Sequence, residues 1–449
     1  MQGLKEELNK REDPTPSLVG LEFIPHLKRS YPENALASNI LGFVNQEGHG
    51  YFGIEEKYND LLAGNPVTVW VPRDPNRARE IPRIPNGTSL ILTINRDLQA
   101  ATEKIFDQSL NEYGAQNGTI IVMDPKNGEI LAMASTPRMD LNNFEDYFTI
   151  YNNASEYNRA IGMPYEPGSV MKIFTMAAAL DTGLVTPNTT YLDTGEIQVG
   201  GVTIKNWDEQ AWGLQNMVGC LQHSLNVCLA WVATQLGPQN FYGYMNRFGF
   251  GHLTGLDMGG EAAGRLKVPG DADWYPVDLG TNSFGQGISA TPLQIMTGAS
   301  AIANRGRMVT PHSLYAMLRD GHQFNVSSQF AGSPIKPETA ATLNEMLAFS
   351  LENEASAALV PGYRVAGKTG TAQIPTPYGF YDFGQTNASF IGWGPVDDPQ
   401  FMIYVWLERP ATSIWGSETA APVFSEVARK TVILLNIPPD AVRLQMVTR

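Results

Sequence analysis

The 449-residue chain reads as an α+β fold. Short apolar runs rich in β-branched residues gather towards both ends of the main body. Amphipathic and apolar helical stretches fill the region between them. Strands at both ends with helices between imply that the two ends meet in one antiparallel sheet. The length suits one large domain with a smaller one, and a change of texture near residue 85 separates 1–85 from 86–449.

The first 85 residues are irregular and rich in Gly, Pro, Asn and charge. They close with Val71-Pro-Arg-Asp-Pro-Asn-Arg-Ala-Arg-Glu-Ile-Pro-Arg83, where prolines forbid a continuous helix, so this stretch reads as a linker. Ser89 to Ile94 reads as a strand. Asp97 to Tyr113 carries Leu98, Ile105 and Leu110 at the spacing of an amphipathic helix. Two apolar runs, Thr119 to Asp124 and Glu129 to Ala134, flank Asn127-Gly128, a strong hairpin signal. Helices are expected over Val170 to Leu180, Val227 to Leu236 and Pro292 to Asn304. Strands return at Arg364 to Ile374, Ala388 to Trp393 and Phe401 to Leu407, and a last helix runs from about Pro422 to Leu435.

Composition excludes several classes. The 31 basic against 45 acidic residues leave a net charge of −14, so nothing here would collect the phosphates of a nucleic acid. No window approaches the roughly 18 consecutive apolar residues of a membrane span, and the polar opening does not read as a signal peptide. The six histidines show neither H-x-x-x-H nor H-E-x-x-H spacing, so no metal site is expected. Cys220 and Cys228 are read as two free, buried thiols, although a turn at Ser224 would let them face each other.

Three short strings carry chemistry: Ser169-Val-Met-Lys172, Ser224-Leu-Asn226 and Lys368-Thr-Gly-Thr371. In the first, Pro167-Gly168 supplies a sharp entry turn into a helix. Ser169 and Lys172 then share one face, with Cβ atoms about 5–6 Å apart. A serine there also sits among free backbone N–H groups suited to an oxyanion, including its own. About one S-x-x-K is expected by chance in such a chain, and Ser333-Pro-Ile-Lys336 also matches. Its lysine precedes Pro337, which disfavours a helical conformation there, so it is set aside as a loop entering a helix.

For Lys172 to act as a base its pKa must fall from about 10.4 towards 7, which costs roughly 4–5 kcal/mol. Burial supplies part of this, and a second cation about 5 Å away adds about 3 kcal/mol at an effective dielectric near 20. Lys368 is the candidate, which makes the two lysines an expectation about proximity. Ser224 can relay a proton and Asn226 can bind a substrate amide; the alternative for both is helix capping. Ser109-Leu-Asn111 spells the same string, but inside the amphipathic helix. Lys368-Thr-Gly-Thr371 is the discriminating string, expected by chance roughly once in a hundred such chains. On a strand Thr369 and Thr371 face one way, placed to bind a carboxylate. Gly370 would admit a ligand close to the backbone, and the Thr371 N–H would be a second oxyanion donor.

Together these strings describe acyl transfer through a serine ester, and the chain resembles a known family, the transpeptidase domains of class B penicillin-binding proteins, relatives of the serine β-lactamases. Leu92-Thr-Ile-Asn-Arg-Asp-Leu-Gln99, Met123 to Ser135, Tyr165-Glu-Pro-Gly-Ser-Val-Met-Lys172, Ser283 to Gln294 and Ala388 to Pro395 all resemble it. Asn95 departs from the family's aspartate. The spelling Ser-Leu-Asn resembles penicillin-binding proteins more than class A β-lactamases. Arg29-Ser-Tyr-Pro32, Leu41-Gly-Phe-Val44 and Gly53-Ile-Glu-Glu56 resemble the family's N-terminal pedestal, present here in part.

The resemblance implies a β-lactamase/transpeptidase-like fold, an antiparallel sheet flanked by helices with a helical subdomain. It implies a D-alanyl-D-alanine transpeptidase acting on peptidoglycan stem peptides and acylated by β-lactams, with no cofactor. Ser169 would be the nucleophile, Lys172 the base, Ser224 the relay and Asn226 the holder of the peptide. Lys368 would tune charge, with Thr369 and Thr371 on the terminal carboxylate. It further implies a parent anchored by an N-terminal membrane helix at the extracytoplasmic face, partnered by a membrane glycosyltransferase of the shape–elongation–division–sporulation type, this chain being a soluble piece. The alternatives are a D,D-carboxypeptidase, a serine β-lactamase and a non-catalytic penicillin-binding sensor or scaffold. Glu166, in the turn before Ser169, offers no clear deacylating base.

Overall fold

The computed structural model describes residues 28–65, 86–151, 156–354, 356–375 and 381–447; the expected linker over 71–83 lies outside them. The elements that position the site are α1 (Arg96–Tyr113), β1 (Asn117–Met123), β2 (Ile130–Ser135), α2 (Lys172–Asp181), α3 (Met217–Gln222), α4 (Asn226–Arg247), α5 (Pro292–Ala303), α6 (Pro337–Glu354), β3 (Ala366–Pro375), β4 (Tyr381–Gly394), β5 (Phe401–Glu408) and α7 (Ala420–Leu434).

β1 to β5 form one antiparallel sheet in the order β3-β4-β5-β1-β2, so the chain's two strand-rich regions do meet. The hairpin between β1 and β2 turns through Gly128, with φ +86°. Both sheet faces are covered. Ile120, Val122, Ile403 and Val405 pack with Phe106 of α1 and Phe424 of α7. Ile121, Met123, Tyr404 and Trp406 point the other way, into a larger core shared with α2, α4, α5 and α6. This alternation is the two-residue period of a strand buried on both sides.

α1 starts where Asn95 Oδ1 accepts from Leu98 N at 3.0 Å and stops at Gly114, φ +62°. The family's aspartate and this asparagine are both good N-caps, so the departure leaves the helix start intact. Thr291 and Gln294 cap α5 reciprocally, and α4 breaks at Gly237-Pro238. α2 is the central helix. Ile173, Phe174, Met176, Ala177, Ala178 and Ala179 are all fully buried, so apolar residues surround it on every side. Residues 28–65 are bound into this body, since Ile40 and Ile54 join the larger core. Tyr31 and Phe43 also cluster with Met139, Leu141, Tyr151 and Tyr157.

No helix among the described residues is long and apolar enough to cross a membrane.

Candidate active site

Gly168–Met171 forms one 3₁₀ turn that runs directly into α2 at Lys172. The expected helix therefore begins more tightly wound. In a 3₁₀ turn residues i and i+3 eclipse, which suits Ser169 and Lys172 sharing a line. The turn lies hard against the edge strand β3. Gly168 has φ +61°, and a Cβ there would meet Thr371 O at 2.9 Å and the Ala372 Cβ at 3.0 Å. No other residue gives both the left-handed backbone and that approach.

Lys172 is fully buried because it opens the central helix. Its Nζ has three acceptors: the Ser224 carbonyl, Ser224 Oγ at 3.0 Å and Asn226 Oδ1 at 2.8 Å. They match the three N–H bonds of an ammonium. When the amine loses a proton, the Ser224 hydroxyl is the one partner of the three that can reverse its role and donate. Burial, and after it the charge of Lys368, hold Lys172 well below the ordinary lysine range.

Lys368 is itself buried and pushed down to about 8 by burial, against the opposing pull of Glu354. The charge of Lys368 acts on Lys172, as expected of two lysines lying close.

Ser224 occupies the turn between α3 and α4 in the left-handed region, φ +54°. Ser224 N donates to Leu221 O at 3.2 Å and Leu225 N to Cys220 O at 3.0 Å, with Leu225 buried beneath. Asn226 Nδ2 donates to Lys205 O at 3.2 Å, so both ends of this amide are engaged by the protein. In this state Asn226 braces the base rather than offering itself to a peptide.

Cys220 and Cys228 correct a sequence-based expectation. They are buried, as read, but joined in a disulfide with Cα atoms 6.0 Å apart. The chain reverses at Ser224, and the first turn of α4 comes back beside the last turn of α3.

A cleft of about 110 Å³ is lined by Ser169, Ser224, Asn226, Thr369 and Thr371, with Trp207 and Trp415 among its walls. Lys368 Nζ donates to Thr369 Oγ1 at 3.2 Å. Thr371 Oγ1 accepts from Gly416 N at 3.0 Å, leaving its hydroxyl hydrogen to give. Gly370 behaves otherwise than expected. A Cβ there would meet Ser389 Oγ at 2.3 Å and Pro167 O at 3.0 Å, so its bareness makes room for the protein's own turn and not for a ligand.

Larger hollows of about 690 and 480 Å³ surround Arg247, Ser333 and Pro334. The first includes Ser333 and Lys336, but that lysine is exposed and donates to Asp181 O. Size does not select the site; the buried base does. Ser109 hydrogen-bonds Ile105 O within α1 and takes no part.

The aromatic walls were not foreseen. Trp207 and Trp415 meet edge to face, centroids 5.1 Å apart, and Trp207 Nε1 donates to His223 O. Neither lies in a string with characteristic spacing, so only the fold brings them to Ser169. Glu166 is not in the cleft lining. It accepts from Gly287 N at 2.9 Å and Tyr381 Oη at 3.1 Å, and burial raises its pKa.

Residues 118–429 match the family described as penicillin binding protein transpeptidase domain. The chain belongs to that family. It is 32% identical over 426 residues to stage V sporulation protein D of Bacillus subtilis, covering 92% of this chain and 65% of that protein. It is 31% identical to a probable peptidoglycan D,D-transpeptidase, PbpC, of Pseudomonas aeruginosa, over 94% of this chain and 73% of the relative. The crystal structure of penicillin-binding protein 3 of Mycobacterium tuberculosis complexed with ampicillin superposes with a TM-score of 0.81 at 30% identity, covering 91% of this chain and 90% of that one. The chain spans 63–66% of the length of the first three curated relatives.

Proposed function

We propose that this chain is the acyl-transferring part of a peptidoglycan D,D-transpeptidase, and that β-lactams acylate it at Ser169. The observation that carries the reading is Lys172, fully buried and bonded to Ser224 and Asn226 under the field of Lys368, three residues after a cleft serine. Ser169 Oγ attacks the carbonyl of the penultimate D-alanine while its proton passes to neutral Lys172. Ser224 delivers that proton to the leaving D-alanine nitrogen, and the C–N bond breaks to leave a Ser169 ester. An acceptor amine from a second stem peptide then attacks the ester, and the proton returns by the same route. Lys368, Thr369 and Thr371 hold the terminal carboxylate. The backbone N–H groups of Ser169 and Thr371 receive the oxyanion, and edge strand β3 offers main-chain groups to an extended peptide.

The buried disulfide fits an oxidising compartment and supports an extracytoplasmic location for an anchored parent, with 28–65 as part of its pedestal. A membrane glycosyltransferase as partner belongs to the same reading.

Fluorescent penicillin decides the first step. Wild-type protein labels and Ser169→Ala does not; absence of label on both would favour a non-catalytic module. A D-Ala-D-Ala-ended peptide with an amine acceptor should then give the amide-linked product. Hydrolysis alone would indicate a carboxypeptidase, and a penicilloyl adduct lost within seconds a β-lactamase.

A further inference from the structure

We propose that the Cys220–Cys228 disulfide is a positioning element of the acyl-transfer site, holding the Ser224 turn against Lys172 so that the acylation rate depends on the bond. The inference rests on the function proposed above for Ser169 and Lys172.

The disulfide encloses His223, Ser224, Leu225 and Asn226, which include every partner of Lys172 Nζ. Besides the cross-link, the turn is held from behind by the buried Leu225 and by Val227 N donating to Asn206 Oδ1 at 3.1 Å. α3 has six residues, too few to be stable alone. Ser224 sits in a left-handed conformation that is unfavourable for a non-glycine residue and persists only where surroundings impose it. Two backbone bonds close the reversal, and one of them ends on the Cys220 carbonyl.

Both sulfurs are fully buried, whereas Ser224 and Asn226 line the cleft. The cross-link therefore stands on the core side of the turn. Elsewhere the turn is tied by Asn226 Nδ2 to Lys205 O, by the contact of His223 Nδ1 with the Glu354 carboxylate and by the stack of His223 on Trp212, centroids 4.2 Å apart. The titratable groups around the base are Lys368 on β3, whose field reaches it, and, beyond the turn, His223 and Glu354.

Reduction by a dithiol transfers two electrons and two protons to the pair. The reductant becomes a cyclic disulfide and Cys220 and Cys228 become two thiols. Two unbonded sulfurs stand farther apart than a bonded pair, and here they do so inside the core. On this proposal the turn shifts with them, and Ser224 Oγ and Asn226 Oδ1 move off Lys172. Misplacement on this scale costs roughly ten- to a hundred-fold in rate. Water reaching Lys172 also relieves the burial that depresses its pKa.

The test compares wild type, the apolar double variant Cys220→Ala/Cys228→Val, and wild type treated with a dithiol until intact mass shows two thiols. Each is assayed for the second-order rate of penicillin acylation against pH. Acylation is expected to fall about ten- to a hundred-fold, with its acid limb displaced to higher pH. A purely structural cross-link would lower Tm and leave the acid limb in place, so a folded variant within about two-fold of wild type with an unmoved limb overturns the proposal. If the variant does not fold, the reduced protein decides, at a temperature where its near-ultraviolet circular dichroism is native. A rate that stays constant as thiols appear overturns it. Failure of untreated wild type to acylate at all would instead remove the proposed function.

Discussion

Lys172 grips Ser224 twice, with Nζ donating to the serine's carbonyl oxygen and to its Oγ at 3.0 Å. One residue therefore supplies the base both an anchor and a proton outlet. Lys172→Met keeps much of the shape and removes the amine. Penicillin acylation should fall about 10²–10⁴-fold, the ordinary contribution of a positioned base. Tm should hold or rise, because a buried amine without a counter-ion is replaced by an apolar chain. Stopped-flow labelling and calorimetry check both halves.

Lys368 governs an alkaline limit. It is charged below about 8 and neutral above, and the neutral form neither draws a carboxylate nor holds Lys172 down. The second-order rate of acylation by a carboxylate-bearing β-lactam should fall as pH rises through about 8. Stability moves the opposite way. The folded state binds fewer protons than the unfolded chain between about 8 and the ordinary 10.5, so the penalty for burying this charge is full below the window and relieved across it. A pH–rate profile with no decline between 7.5 and 9 would remove Lys368 from this role.

Glu166 is engaged with Gly287 and Tyr381, away from the cleft. Glu166→Ala should lower stability by about 1 kcal/mol, through the half-buried N–H of Gly287 and hydroxyl of Tyr381 left without this acceptor. The lifetime of a penicilloyl adduct should not lengthen. A longer lifetime would make Glu166 a deacylating base and revive the β-lactamase reading.

Gly370→Ala sets a Cβ 2.3 Å from Ser389 Oγ. A shift of Ser389 would not clear it, since Pro167 O stands 3.0 Å and Val170 Cγ1 3.1 Å from the same Cβ. The strain, about 1–3 kcal/mol, falls on the turn that carries Ser169. Acylation should therefore drop more than Tm alone accounts for, as labelling rates measured well below Tm will report.

Trp207 and Trp415 narrow the cleft. Trp415→Ala removes a pair contact of about 0.5–1.5 kcal/mol. Acylation by β-lactams with bulky side chains should rise by up to about ten-fold, with small ones little changed. Equal effects on both would place the tryptophans outside the entry path.

Much of this was legible in the residues. The hairpin around Asn127-Gly128, the amphipathic helix over Asp97 to Tyr113 and the strand over Phe401 to Leu407 follow from local pattern, because turn chemistry, helix period and strand length are short-range. The proline after Lys336 separated the decoy from the working S-x-x-K for the same reason. β4 was read as starting at Ala388 and begins at Tyr381. Thr386 and Asn387, in its first half, are polar and gain strand form from pairing with β3, and Asn387 with β5 as well. Cys220 and Cys228 were misread because a disulfide depends on a chain reversal that an αL serine makes and no spacing rule announces.

The sequence by itself determined the chemical kind of this protein: a serine and lysine at helical spacing, a second hydroxyl with an amide, and a lysine–threonine strand. Those are identities and short separations, which the chain carries locally. Tertiary structure alone decided that Lys172 sits well below the ordinary lysine range, because its state depends on burial by the central helix and on a charge arriving from a strand almost two hundred residues away. It also decided that Gly370 serves packing, that Asn226 braces the amine and that two tryptophans wall the cleft. Each of these is a distance between segments remote in sequence, and only the folded chain sets such distances.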